Sequence, residues 1–249
     1  AGNVVRTLRN GARMAGVNQL VWDLRHDAAT AGAEAEGRGG GAGRAGGGGG
    51  GRGGRGGGGG PQVVPGDYVV TMRLAGRDIR KPIKVELDPR ANVTTADLVA
   101  QRDLGMNLRD LNGRVTAVID RTDDLMRQLT ALVDNLRRNA PNERTALGEA
   151  ESALVELRTL RDEKLLRPIQ GLGYRQYPRL REEVSSLYGA VTRSITKPTD
   201  AQVSRHTELV GETGEVQREL QAIVDGRIAR LNEMLKNLPH VIVGGRIVM

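Results

Sequence analysis

The sequence predicts an α+β chain, in which an antiparallel β region is followed by an antiparallel four-helix bundle. Two observations predict the helical half. Leu104, Leu108, Leu111, Val115, Val118, Thr122, Leu125, Leu129, Leu132 and Leu136 follow one another at alternating steps of four and three. This is a heptad seam with one polar slip, Thr122, and it keeps one stripe of a helix apolar. Three further amphipathic segments follow, which can cover that stripe. The third observation concerns the front, where short stretches alternate apolar and polar residues between Gly, Pro and Asn turns.

In order, Val4, Val5 and Leu8 precede a turn at Asn10-Gly11. Asn18–Arg25 then reads as a strand with Leu20, Trp22 and Leu24 on one face. Glu34–Pro61 is low complexity: of the 24 residues Gly37–Gly60, 18 are glycine and the rest are Arg38, Ala42, Arg44, Ala45, Arg52 and Arg55. With so few side chains to offset ordering entropy, it reads as a flexible insertion. Asp67–Leu74 alternates Tyr68, Val70, Met72 and Leu74 on one face. A turn at Ala75–Asp78 leads to a second strand, Ile79–Leu87, and Asp88-Pro89 closes the β region.

The first helix is expected over about Thr94–Arg137, capped by Thr94 or Thr95 with Asp97 in its first turn. At 1.5 Å per residue it would run roughly 65 Å. The second spans Ala146–Leu166. The third opens at Pro178 and carries Leu180, Val184, Leu187, Val191 and Ile195. The fourth is capped by Thr199-Asp200 and carries Leu209, Thr213, Val216, Leu220, Ile223, Leu231, Leu235 and Leu238. If the first and fourth pack together, Val118, Leu125 and Leu220 are buried. The domains read as 1–90, with the insertion at about 34–61, then 91–240, then a β-like tail at 241–249.

There is no Phe and one Trp, so Leu, Val, Ile and Ala must fill the core. The net charge of +7 is uneven: residues 1–90 hold 14 Lys and Arg against 8 Asp and Glu, and the remainder 23 against 22. The absence of cysteine excludes disulfides and thiolate metal sites. No apolar run is long enough to span a membrane, and no signal peptide is recognised.

The motifs Gly2-Asn3-Val4-Val5-Arg6-Thr7-Leu8, Ala15-Gly16-Val17-Asn18, Val21-Trp22-Asp23-Leu24-Arg25 and Pro65-Gly66-Asp67-Tyr68-Val69-Val70 carry a resemblance. It continues at Val85–Pro89, Thr95–Leu98, Leu187-Tyr188-Gly189 and Pro198-Thr199-Asp200. Together they resemble the C-terminal region of bacterial sortilin-type (BNR/Asp-box) β-propeller proteins, an Ig/fibronectin type III-like module with a helical region. The resemblance implies a partial Ig/Fn3-like β-sandwich before the four-helix bundle, and a secreted, extracellular or periplasmic setting. The propeller and the module's opening strand are absent, so the chain is expected to be a C-terminal piece of a longer exported protein. Any hydrolase label of that family belongs to the propeller.

No catalytic, cofactor-binding or metal-binding residue is assigned. His26, His206 and His240 lie in three separate segments without ligand spacing. Glu182-Glu183 and Asp123-Asp124 are adjacent helical pairs whose side chains diverge, which suits solvated faces better than acid/base work. Gly171-Leu-Gly-Tyr174 lacks the strand and the further glycine of a nucleotide loop. The expected function is non-catalytic: a structural and interaction region that docks on its own propeller or on a neighbouring subunit, homo-oligomers included. Its interaction candidates are Val4, Val5 and Leu8, at an unpaired β edge, and Arg38, Arg44, Arg52 and Arg55. The alternative is a basic adaptor that binds RNA or another polyanion through those arginines. The tract lacks interleaved aromatics, so nucleic acid is the less expected partner.

Overall fold

The computed structural model describes residues 2–8, 15–29, 60–140, 142–168 and 177–236. Its elements are β1 (Gly66–Leu74), β2 (Arg77–Val85), α1 (Thr95–Asn139), α2 (Arg144–Thr159), α3 (Leu180–Arg193), α4 (Asp200–Ile223) and α5 (Ala229–Met234). A π-helical turn, Leu160–Leu165, prolongs α2, and a second, Val224–Ile228, joins α4 to α5. Four continuous helical runs are therefore present among the described residues.

Helices α1 and α4 each start at a reciprocal cap. The Thr94 hydroxyl accepts the Asp97 amide at 3.1 Å, while the Asp97 carboxylate accepts the Thr94 amide at 3.3 Å. Thr199 and Gln202 repeat the arrangement before α4, at 3.2 and 3.0 Å. Each pair satisfies two orphan donors of a first turn. All ten heptad positions from Leu104 to Leu136 are buried. Thr122 is accommodated because its hydroxyl donates to the Val118 carbonyl at 2.8 Å, so no polar atom is stranded.

The Ig/Fn3-like sandwich is not what the chain forms. The molecule is mostly helical, and among the described residues the one sheet has two strands, β1 and β2, paired antiparallel. The segment Asn18–Arg25 turns back instead of extending. The Trp22 indole N–H donates to the Arg25 carbonyl at 3.0 Å, and Leu24 has a φ of 55°, in the left-handed region. Val4–Leu8 forms no strand. Among the described residues no second sheet faces either segment. The expected tail 241–249, Leu238 and most of the glycine tract lie outside the described residues.

The chain divides into two units. The first comprises Ala1–Thr30, Glu34–Asp110 and Tyr188–Val203, the second Ala31–Ala33, Leu111–Leu187 and Ser204–Met249. In the first unit, the opening of α1 meets the end of α3. A Cβ added to Gly105 would lie 2.8 Å from the Pro61 ring and 3.3 Å from the Thr192 methyl, so only glycine allows this approach. The Gln101 amide donates to the carbonyls of Val191 and Ser194. In the second unit, α2 packs against the second π turn and α5. Arg227 bridges to Glu156 at 2.6 Å and to Glu149 at 3.2 Å. Arg161 pairs with Asp123 at 2.5 Å, and Arg137 with Glu151 at 2.5 Å. Such solvated pairs contribute at most about 1 kcal/mol each, so the buried apolar seam carries the stability.

Candidate interaction site

Three features of the first unit qualify as interaction surfaces. The first is the stretch Gly2–Leu8. Its backbone is tied to the next segment: the Asp27 amide donates to the Val5 carbonyl at 3.0 Å, and the Thr7 amide to the Asp27 carboxylate at 3.1 Å. Arg6 donates to the His26 carbonyl at 3.1 Å and pairs with Asp27 at 3.5 Å. Val5 is half-buried, whereas Val4 is 81% exposed and Leu8 38%. The structure thus places Val4 and Leu8 at the surface.

The second feature is the stem of the glycine tract. Arg38, Arg44, Arg52 and Arg55 lie outside the described residues, but the segments on either side of the tract are joined. The His26 amide donates to the Pro61 carbonyl at 2.9 Å, Gly60 to His26 at 2.7 Å, and Val63 to Leu24 at 2.9 Å. Arg25 and Gln62 form an antiparallel bridge. The two described ends of the tract therefore meet at one short ladder. Gly60 is fixed by space: a Cβ there would lie 2.5 Å from the Asp27 carbonyl oxygen.

This stem is electropositive. The Arg25 guanidinium donates to the Gly60 carbonyl at 3.3 Å, and that of Arg109 to the Asp27 carbonyl at 3.1 Å. Burial holds the His26 pKa below its ordinary 6.5, and the charges of Arg102 and Arg109 lower it further against the opposing effect of Asp27. Burial raises the Tyr188 phenol, with Arg25 and Arg109 opposing. Asp103 and Asp110 pair with Arg102 at 2.7 Å and Arg109 at 2.6 Å, which tempers the excess.

The third feature is the hairpin β1–β2. Its register places Tyr68 opposite Ile83, Val70 opposite Lys81 and Met72 opposite Ile79 on one face, and Val69 opposite Pro82 on the other. Two residues, Ala75 and Gly76, close it with φ of 49° and 77°, the positive pair of a tight hairpin turn. Near its base Trp22 meets Tyr68 edge to face, with ring centroids 5.6 Å apart. Beyond that contact the apolar face is open, with Met72 at 51% and Leu74 at 61% exposure.

The acidic pairs on the helices bind neighbouring groups. The Glu182 carboxylate accepts the amides of Arg179 at 2.9 Å and Arg167 at 3.2 Å, and Glu183 pairs with Arg205 at 3.7 Å. Asp124 accepts from Arg127 and Gln128. Among the described residues no three His, Cys, Asp or Glu side chains are grouped to hold a metal ion. The concavity lined by Pro61, Gln62, Gln101, Arg102 and Thr192 offers about 10 Å³, roughly the space of a single water. No described helix is long and apolar enough to cross a membrane. Sequence reasoning missed the exposure of the hairpin, although the scarcity of large apolar residues to cover Met72 and Leu74 was a signal of it. No family model, curated protein or solved structure matches the chain.

Proposed function

We propose that this chain is a non-catalytic docking region: a helical body that presents a β-hairpin to its partner. The partner is the β-propeller of its own exported parent protein or a neighbouring subunit. The observation that carries the reading is the open apolar face of β1, whose Met72 and Leu74 stand in solvent while the heptad seam is fully buried. Large apolar residues grouped on an exposed face mark an interaction surface. The sortilin-type resemblance of the β motifs supports the exported setting and the propeller as partner.

The test replaces Met72 and Leu74 together by Thr. Since both are exposed, the thermal midpoint stays within a few degrees of the parent, while association, read by light scattering and by co-purification with a propeller segment, is lost. Association unchanged in the variant would remove the docking reading.

A second reading, a basic adaptor for RNA or another polyanion, is favoured by the arginines gathered at the tract's stem, Arg25, Arg102 and Arg109. A phosphate-binding site there would lose affinity steeply with added salt, and Arg102→Ala would reduce the salt slope by about one contact. Salt-independent or absent binding would exclude it.

A further inference from the structure

The hairpin has two edges, and they are not equivalent. The two-residue turn closes at the pair Leu74 and Arg77, and the closing pair of such a turn exchanges hydrogen bonds across the ladder. Alternation from there commits the backbone groups of Gly66, Tyr68, Val70, Met72 and Leu74 to β2. The N–H and C=O groups of Asp67, Val69, Thr71 and Arg73 point outward from β1. The same parity turns the nitrogen of Pro82 outward on β2, and proline has no hydrogen to give. The β2 edge therefore has a gap at its middle, a common protection against strand addition. The β1 edge has no such gap. Its four outward residues are exposed, and no further described strand pairs with them.

Taking up the docking reading and naming its partner, we propose that the β1 edge pairs antiparallel with the β1 edge of a second copy of this chain, on a two-fold axis at Val70. In that register Val70 faces Val70, Val69 faces Thr71, and Asp67 faces Arg73. Each outward residue meets an outward residue, so the edge donors and acceptors are satisfied on both strands. Two opposite-charge pairs and two β-branched pairs flank the centre, the combinations that stabilise cross-strand neighbours. Centring one residue earlier sets Arg73 against Pro65, and one residue later sets Arg73 against Val69. Registers centred between residues oppose outward to inward groups. Charge complementarity thus selects one register. Arg73 already donates through Nε to Asp78 at 2.9 Å, and its terminal nitrogens remain for the second copy's Asp67. The product is a four-stranded sheet with β2 strands at both rims, each guarded by its Pro82.

The test uses the full chain, which contains no cysteine. Sedimentation or light scattering over a concentration series is expected to show a monomer–dimer equilibrium. Asp67→Arg and Arg73→Asp each place like charges opposite one another and should weaken dimerisation about tenfold, whereas the double exchange restores it. Val70→Cys sits on the axis, in a closely spaced pair whose Cα separation suits a disulfide. It should cross-link copies several-fold faster than Thr71→Cys. A chain that stays monomeric at all concentrations overturns the proposal, as does a dimer indifferent to both charge reversals with equal cross-linking at the two positions. The edge variants leave Met72 and Leu74 in place. A parent chain that binds the propeller but never self-pairs therefore sinks this inference alone, whereas loss of the docking reading appears in the Met72/Leu74 variant.

Discussion

Leu160 and Leu165 stand five residues apart and are both buried, because the helix between them opens into a π-helical turn. In a regular α-helix a step of five rotates a side chain well away from its starting face. The wider turn brings Leu165 back beneath Leu160. Removing Glu163, an exposed residue in that turn, converts the step to four and keeps both leucines on one face. The deletion is expected to fold, with a stability change within about 1 kcal/mol. A cooperative thermal transition followed by circular dichroism checks it.

The seam is expected to discriminate sharply between charge and shape. Leu125 is fully buried, so Leu125→Asp strands a charge among apolar neighbours and costs several kcal/mol. Thr122→Val removes a hydroxyl that serves only its own helix, and changes stability by less than about 1 kcal/mol. Denaturant titration of the two variants separates the effects.

Ala75 adopts a φ of 49° at the first turn position of the hairpin. A Cβ in that region costs about 1 kcal/mol, which glycine avoids. Ala75→Gly should therefore protect the amides of the β1–β2 ladder more strongly in hydrogen exchange.

At the tract's stem, Gly60→Ala forces a Cβ against the Asp27 carbonyl oxygen and should destabilise by about 1–3 kcal/mol. Shortening residues 37–59 to a few residues should preserve the fold and add slightly to stability, since loop-closure entropy falls only slowly with length. The contrast between the two, read as thermal midpoints, locates the demand for glycine at position 60.

His26 and His206 both have pKa values below 6.5, chiefly through burial, aided by Arg102 and Arg109 at His26 and by Arg114 at His206. The unfolded chain therefore binds these protons more readily than the folded one. Their contribution is fully present above about pH 6.5 and is lost as pH falls through the window below it, towards the folded values. In His26→Gln, the pH dependence of the unfolding midpoint between pH 7 and 5 should flatten.

The helices were legible because a buried stripe on a long helix imposes a strict period, and Leu104–Leu136 keeps it without interruption. Thr94 and Thr199 were legible as caps because capping acts over three residues. The β region misled for a physical reason. Alternation at Leu20, Trp22 and Leu24 describes a pleat, but covering it needs a second sheet, and no local pattern encodes that. The Trp22 bond to the Arg25 carbonyl bends the segment instead. The stem that joins Arg25 to Gln62 spans the whole glycine tract, so nothing beside either residue announced it. Val4, Val5 and Leu8 were expected at an unpaired β edge, whereas no strand forms there; the open edge at Asp67–Arg73 needed the register of the hairpin.

The ladder at Leu24–Val63 has a consequence for how this gene can change. Whatever the number of codons between Ala28 and Gly60, the same few backbone bonds hold the two ends, and helix α1 meets the same Pro61. Replication slippage in a run of glycine codons that lengthens or shortens the tract leaves these same bonds to close its two ends. Close relatives should then differ there in length before they differ anywhere in the seam.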